Sequence, residues 1–199
     1  MRAAHFGLWE LAVLALLRER SMHPYEMQLL LRERRKDELL VLKRGSLYHA
    51  IQRLARAKLI EAVKTARNGR RPARTTYRIT KAGRAELLRQ LRGIVALPRR
   101  ESSEFMAAVS FLIHLEPQDA LAQFTKREEQ LLMQTADLRE TIHSALARVT
   151  RINLLESEYL LAMLEAELGW MRGVMKQMAG KKLTWDLDQV IRAIWAARK

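Results

Sequence analysis

Apolar residues recur every three or four positions along almost the whole chain, and only one segment departs from this pattern. Such spacing predicts amphipathic helices, because it matches the 3.6 residues of an α-helical turn. In the exception, residues 59–66 and 74–80 form two short runs rich in Val, Thr, Tyr and Ile, joined by RNGRRPA. Runs of this kind around an Asn-Gly turn signal predict a β-hairpin. The expected fold is therefore mainly α with a small hairpin.

Four helices are predicted around this hairpin. Leu8 to Arg20 is apolar on nearly all sides, as expected of a central helix on which others pack. A second helix should begin at Pro24, since proline suits the first helical position. A third runs from about Ser46 to Lys58. The fourth follows Thr80, whose hydroxyl suits an N-cap, despite Gly83 in its first turn.

Pro98 and the charged RRESS segment after it predict a boundary between two domains, 1–97 and 98–199. Helices are then expected near 103–115, 117–150, 153–179 and 185–197. The longest of them would need a packing partner beyond a small core of its own. Its apolar residues alternate in spacing between three and four, which is typical of a coiled-coil seam, and a second copy of the chain is the simplest partner. The predicted dimerisation residues are Leu121, Phe124, Leu131, Leu138, Ile142 and Val149 on this helix, and Trp170 on the next.

The positive charge of the chain lies entirely in its first half. The formal net charge is +14, and residues 1–97 contain 22 Lys and Arg against 8 Asp and Glu, whereas 98–199 contain 14 of each. A basic block attracts polyanions, namely nucleic acid or an acidic membrane surface. No run of about 18 uncharged apolar residues occurs, so a membrane span is not expected. The start of the chain superficially resembles a signal peptide, but Glu10 and the following RERS favour a buried helix.

The third predicted helix separates apolar from polar residues. Leu47, Ile51 and Leu54 fall on one side of a helical wheel. Three helices, a hairpin and a further helix make a winged helix-turn-helix plan, in which the third helix enters the DNA major groove. Tyr48 lies at the edge and either anchors a phosphate or caps the core. The residues predicted to contact DNA from this helix are Ser46, Tyr48, His49, Gln52, Arg53 and Arg56.

The predicted hairpin loop, or wing, is strongly basic. Its arginines would reach the flanking DNA backbone or a narrow minor groove, where negative potential is concentrated. A charged helix face alone is more often merely solvated, and it is this neighbouring basic loop that favours DNA contact. The predicted wing and flanking contacts are Lys43, Arg44, Arg67, Arg70, Arg71, Arg74 and Arg78.

Four motifs follow one another in the first half of the chain, namely ELAVLALL, MHPYEM, RGSLYHAIQRLARAKLIE and GRRPARTTYRITKAGRAEL. Through these motifs, taken in order, the first ninety or so residues resemble bacterial PadR-family transcriptional regulators. Two positions depart from the family, with Pro24 where Gly is common and His49 where Pro is frequent. The second half is similar to the helical dimerisation domain of longer members, with LEAELGWM as its best match. The resemblance implies a dimeric, usually repressing factor that binds an inverted repeat and often leaves DNA when a small molecule binds.

Three tryptophans bear on such an effector. Trp170, Trp185 and Trp195 either line an aromatic pocket at the dimer interface, for a small aromatic or amphiphilic effector, or serve core and interface packing. The chain has no cysteine, and its five histidines lack metal-ligand spacing, so neither a metal nor a cofactor is expected. No nucleophile or phosphate-loop motif points to an enzyme.

The function predicted from the sequence is a cytoplasmic, homodimeric, sequence-specific DNA-binding regulator. We expect it to be an effector-responsive repressor of an inverted-repeat operator, associated with the nucleoid when bound. The alternative is an RNA-binding or architectural basic protein that uses the same winged domain without an effector. A third class, an enzyme or a protein-interaction adaptor, would require the basic half to face an acidic protein.

Overall fold

The computed structural model describes residues 7–34, 36, 46–66, 74–98 and 103–196, which are mostly helical with one two-stranded antiparallel hairpin. This confirms the predicted fold class. The chain divides into two compact units, Met1–Arg100 and Glu101–Lys199. The first contains α1 (Leu8–Glu19), α2 (Pro24–Glu33), α3 (Ser46–Arg56), β1 (Ile60–Ala66), β2 (Arg74–Ile79) and α4 (Lys81–Ala96). The second contains α5 (Glu104–Ser110), α6 (Pro117–Leu146), α7 (Leu155–Ala179) and α8 (Leu187–Ala196), with 3-10 turns at Leu112–His114 and Arg151–Asn153.

Helix α1 lies at the centre of the first unit. It contacts α3, α4 and β2, and its Val13 and Leu14 are completely buried. The apolar sides of the neighbouring helices and strands close around it, as the all-round apolar character of α1 predicts. The buried apolar residues of this core are Val13, Leu14, Leu16, Leu17, Met22, Met27, Leu31, Leu47, Ala50, Ile51, Leu54, Ile60, Ile79 and Leu87.

The start of α2 is fixed by reciprocal hydrogen bonds. The His23 Nδ1 accepts from the Tyr25 backbone N–H at 3.1 Å, and the Glu26 carboxylate accepts from the His23 N–H at 3.2 Å. Pro24 occupies the first turn, where its missing N–H leaves no donor unpaired. Just before this cap, Met22 and Tyr77 exchange two backbone hydrogen bonds of 3.1 Å. The segment between α1 and α2 is thereby joined to the hairpin.

The turn after α3 is locked to the start of α4. Lys58 adopts a left-handed conformation with φ 57°, and the next N–H, of Leu59, bonds the Leu54 carbonyl at 3.0 Å, as at a Schellman-type helix end. The Thr80 hydroxyl accepts from the Gly83 N–H and donates to the Leu59 carbonyl, both at 3.0 Å. A Cβ on Gly83 would lie 2.1 Å from that same carbonyl oxygen. Only glycine allows the helix to approach so closely.

The two hairpin strands pair from Ile60 opposite Ile79 to Ala66 opposite Arg74, with an irregularity between Ala62 and Lys64. Each described strand lies within one residue of its predicted bounds at both ends. The loop residues 67–73 lie outside the described part of the chain.

The second unit is built on the pairing of α6 with α7. The buried apolar residues of this core are Ala120, Phe124, Leu131, Leu168, Met171 and Met178. Ion pairs border this core: Arg127–Glu167 at 2.6 Å, Arg139–Glu165 at 2.6 Å and Glu128–Arg172 at 2.5 Å. None of the described helices is long and apolar enough to cross a membrane.

The partner predicted for the long helix requires correction. Phe124 and Leu131, expected to face a second copy, are only 4% and 5% exposed and pack in the core that α6 forms with α7. Leu121, Leu138 and Ile142 are half-buried, while Val149 lies beyond the end of α6 and is exposed. The helix ends at Leu146, four residues before the predicted end. Helix α7, with 25 residues, gives α6 a partner within its own chain.

Candidate nucleic-acid interface

Helix α3 presents a polar face without partners among the described residues. Its apolar side chains Leu47, Ala50, Ile51 and Leu54 are buried, and Ser46 is half-buried. On the opposite side, exposed side chains neither hydrogen-bond nor ion-pair with any described residue. These side chains, which we call the polar face of α3, are Tyr48, His49, Gln52 and Arg56. Within the described part of the chain, nothing competes with an external ligand for their hydrogen-bonding groups.

Arg53, predicted to belong with them, is held differently. Its Nε and Nη2 both approach Oε1 of Glu10, a residue of α1 whose side chain is only 1% exposed. The other carboxylate oxygen, Oε2, accepts from the Gly7 backbone N–H at 3.0 Å. A buried carboxylate needs such compensation, because an unpaired buried charge is strongly destabilising. This ion pair therefore joins α1 to α3.

The Arg53 guanidinium is nevertheless accessible. The side chain is 55% exposed, and its Nη1 has no partner among the described residues. A guanidinium carries five N–H donors, so the bond to Glu10 leaves part of its donor set unused. In the sequence alone, Glu10 is only an interruption of an apolar run. The signal missed there is chemical, because an acid inside the apolar run of a largely buried helix needs a hydrogen-bonding or cationic partner.

The described wing residues add one ion pair. Arg78 in β2 donates from Nε to the Glu61 carboxylate in β1 at 2.7 Å, and both side chains are about half exposed. Arg74 belongs to β2, and its side chain is not among those described. The remaining predicted wing and flank contacts, which lie outside the described residues, are Lys43, Arg44, Arg67, Arg70 and Arg71.

Two arginines near the ends of α1 and α2 are paired with acids on the surface of the first unit. A hydrogen bond from Arg34, at 2.5 Å, holds the pKa of Glu19 below its usual value. Arg20 lowers the pKa of Glu26 in the same way, across 2.8 Å. These pairs partly neutralise the surface formed by α1 and α2. Arg56, by contrast, contributes a positive charge that no described acid offsets.

The tryptophans of the second unit occupy different settings. Trp170 is 46% exposed and meets the rings of Phe105 and Phe124 edge to face, at centroid distances of 6.1 and 6.2 Å. Trp185 donates its indole N–H to the Leu115 carbonyl at 2.9 Å and packs against the same core. Trp195 lies on α8 and is 61% exposed. Among the described residues, no three His, Asp or Glu side chains gather as a metal site would require.

A helix whose polar face has no partner among the described residues, followed by an antiparallel hairpin and a capped helix, defines the first unit as a winged helix-turn-helix domain. Residues 13–89 match the family model described as the transcriptional regulator PadR-like family. This domain is therefore PadR-like in its sequence, as the match over residues 13–89 shows. No curated protein matches the chain in sequence.

Solved structures are similar over both units. Bacillus subtilis PadR in complex with operator DNA is 19% identical, with a TM-score of 0.68, covering 86% of this chain and 99% of that one. The same protein in complex with p-coumaric acid gives a TM-score of 0.70 at 19% identity, over 87% and 99%. The PadR-like regulator BC1756 from Bacillus cereus is 16% identical, with a TM-score of 0.59, covering 87% of this chain and 99% of that one. At these identities the likeness establishes the fold.

Proposed function

We propose that this chain is a sequence-specific DNA-binding regulator that reads its operator with the polar face of α3. The observation that supports this most directly is the set of exposed groups on that face that have no partner in the described part of the chain. Gln52 has both a donor and an acceptor, which suits bidentate contact with adenine, and Arg56 suits guanine or phosphate. His49 offers either a donor or an acceptor according to its tautomer. The B. subtilis PadR structure with operator DNA supports the same use of the fold.

The experiment is selection of bound fragments from random duplex DNA by the purified protein, followed by affinity measurements on the recovered site. Gln52→Ala should change which sequences bind best, with each lost base contact worth about 1–3 kcal/mol. Gln134→Ala, which alters an exposed glutamine of α6, is the matched control. If the Gln52 variant kept the wild-type preference and affinity, α3 would not be the reading element.

Salt dependence tests the contribution of the basic surface. If about eight phosphates are neutralised, log K should fall with log salt at a slope of about −7. Replacing an arginine that contacts phosphate should weaken all duplexes alike and reduce the slope by about one. The loop arginine Arg70 remains the predicted contact of this kind.

The same proposal includes a homodimer with two winged domains on successive half-sites of an inverted repeat. Helix α7 has a second apolar surface besides the one that faces α6. Its exposed members, here called the α7 stripe, are Leu155, Tyr159, Met163 and Trp170, which lie within about 80° on a helical wheel. An exposed row of large apolar side chains favours association. The α7 stripe therefore replaces Phe124 and Leu131, the buried residues of the α6 seam, as the proposed dimer face.

Light scattering tests the dimer. The wild-type molar mass should be twice the 23.1 kDa of one chain, and Met163→Glu in the α7 stripe should lower it. Met133→Glu makes the same change at an exposed methionine of α6 and should leave the mass unchanged. A wild-type mass of one chain would refute the dimer, and a dimer unaffected by Met163→Glu would refute its face.

We further propose release from DNA by a small aromatic or amphiphilic effector, as expected of a repressor. The B. subtilis PadR complex with p-coumaric acid motivates the chemical class. Here Trp170 adjoins Phe105, and the Arg127 guanidinium lies 3.7 Å from the centre of the Phe105 ring, which places aromatic surface beside a cation. Titration of p-coumaric acid into the protein–DNA complex should release the duplex. Retention of DNA at saturating acid would reject this ligand.

The purified protein and the selected duplex also distinguish the proposed regulator from the alternative, an RNA-binding or architectural protein. A regulator should prefer one short palindromic duplex over random DNA and over structured RNA of equal length. Equal affinity for all three would favour the alternative.

A further inference from the structure

We propose that Glu10 is a positioning residue for DNA recognition, which orients the Arg53 guanidinium so that its free end reads DNA. This inference rests on the proposed function of α3. The geometry behind it is the contact of Nε and Nη2 with Oε1 of a carboxylate that is itself 1% exposed.

The carboxylate is rigidly held. Oε2 accepts the Gly7 N–H at 3.0 Å, and Glu10 lies in the first turn of α1, where a negative charge is favoured by the helix dipole. Its side chain is also buried within the first unit, with only 1% of its surface exposed. Glu10 is therefore a fixed anchor for a long and otherwise mobile side chain.

The guanidinium can bind two groups at once because it has two usable edges. One edge, Nε with Nη2, faces Glu10, and the end formed by Nη1 and Nη2 retains N–H donors. Paired N–H donors match the O6 and N7 of guanine or two phosphate oxygens. Because Arg53 follows Gln52 and precedes Arg56 on the exposed side of α3, its free end lies beside the polar face. Fixing the side chain in advance reduces the rotamer entropy lost on binding.

Glu10 also affects selectivity through its charge. It partly neutralises Arg53, so that Arg53 gains less from a non-specific phosphate than a free arginine would. An acceptor that matches the outward N–H geometry still gains directional hydrogen bonds. Through its charge alone, Glu10 should therefore weaken binding to non-specific DNA more than binding to the correct site.

The test compares Glu10→Gln with the wild type on two duplexes of about 30 base pairs, one recovered by selection and one shuffled to the same composition. Glutamine keeps the size and an acceptor for Gly7 but removes the charge that holds Arg53. We expect the ratio of the two affinities to fall by about tenfold, with no loss of affinity for the shuffled duplex. Glu19→Gln is the matched control, because it makes the same change on the same helix and also frees an arginine, Arg34. It should leave the ratio unchanged.

A second variant addresses the mechanism and any loss of folding. Arg53→Lys keeps a cation beside Glu10 but removes the planar fork, so it should reduce the ratio as well. Adding Glu10→Gln to Arg53→Lys should change the ratio no further, because Glu10 acts through the guanidinium. If Glu10→Gln does not fold, as judged by circular dichroism, Glu10→Asp takes its place, because aspartate keeps the charge but is one methylene too short to hold Arg53 in the same position.

The outcomes are distinct. An unchanged ratio in folded Glu10→Gln, or an equal loss of affinity for both duplexes, would overturn the positioning role and leave Glu10 as a purely structural residue. An unchanged ratio in Arg53→Lys would do the same. A wild type without preference between the duplexes would instead refute the proposed function itself.

Discussion

The close contact between α4 and the turn after α3 predicts a large effect from one methyl group. In Gly83→Ala, the new Cβ would meet the Leu59 carbonyl oxygen at 2.1 Å and Cγ1 of Ile79 at 2.8 Å. The first obstacle is backbone, which cannot rotate away as the end of a side chain could. Helix α4 must therefore shift by about 1.5 Å to restore an ordinary van der Waals distance.

That shift would disturb the hydrogen bonds at the junction. The Leu59 carbonyl accepts from both the Thr80 N–H and the Thr80 hydroxyl, each at 3.0 Å. Weakening two hydrogen bonds costs about 1 kcal/mol each, and overpacking adds about 1–3 kcal/mol. We expect Gly83→Ala to lower the free energy of unfolding by about 3–5 kcal/mol. Because Leu59 ends the turn that follows α3, the proposed affinity for DNA should also fall.

Urea denaturation followed by circular dichroism measures the change, and α4 supplies its own control. Gly93 lies in the same helix, and a Cβ added there would have no described heavy atom of another residue within 4 Å, apart from its own helical backbone and chain neighbours. Gly93→Ala should therefore stabilise by about 0.5–1 kcal/mol through the higher helix propensity of alanine. Opposite signs for the two substitutions support the close approach. A loss below about 0.5 kcal/mol for Gly83→Ala would show that the junction yields easily, and the reasoning would fail.

Three further perturbations have expected outcomes. Lys58→Gly should stabilise by about 1 kcal/mol in thermal or urea unfolding, because it relieves the left-handed conformation at φ 57°; destabilisation would contradict this. Arg34 lowers the pKa of Glu19 in the folded state. The contribution of Glu19 to stability is therefore complete above its pKa in the unfolded chain and is lost as the pH falls through its pKa in the folded chain. The difference in unfolding free energy between the wild type and Glu19→Gln should be under about 1 kcal/mol, because the pair is exposed. This difference should vanish in acid, and a difference that grew in acid would contradict the prediction. Trp185→Phe should cost about 1 kcal/mol in the same unfolding assay by removing the hydrogen bond to Leu115, whereas no measurable loss would show that water replaces that bond.

The elements that could be predicted from sequence are those set by local chemistry. Pro24 and Thr80 mark helix starts because their effects act within one turn, and both starts are found where predicted. The two faces of α3 follow equally from spacing, since Leu47 and Leu54 are buried while Gln52 is exposed. Gly83 could be seen in the sequence but not explained there. Its reason is the Leu59 carbonyl, which only the folded chain brings next to it.

The spacing of apolar residues does not reveal which helix packs against α6. The spacing of Phe124 and Leu131 correctly indicates a buried helix face, but the same spacing suits a helix of the same chain or of another. The length and apolar pattern of α7 resolve the choice in favour of the same chain for these residues. Arg53 presents the complementary problem, because its position on the wheel matches Gln52 and Arg56 while its guanidinium is bound to Glu10, 43 residues earlier. Its removal would disturb folding and DNA reading together, so substitutions at Arg53 are informative about recognition only when paired with substitutions at Glu10.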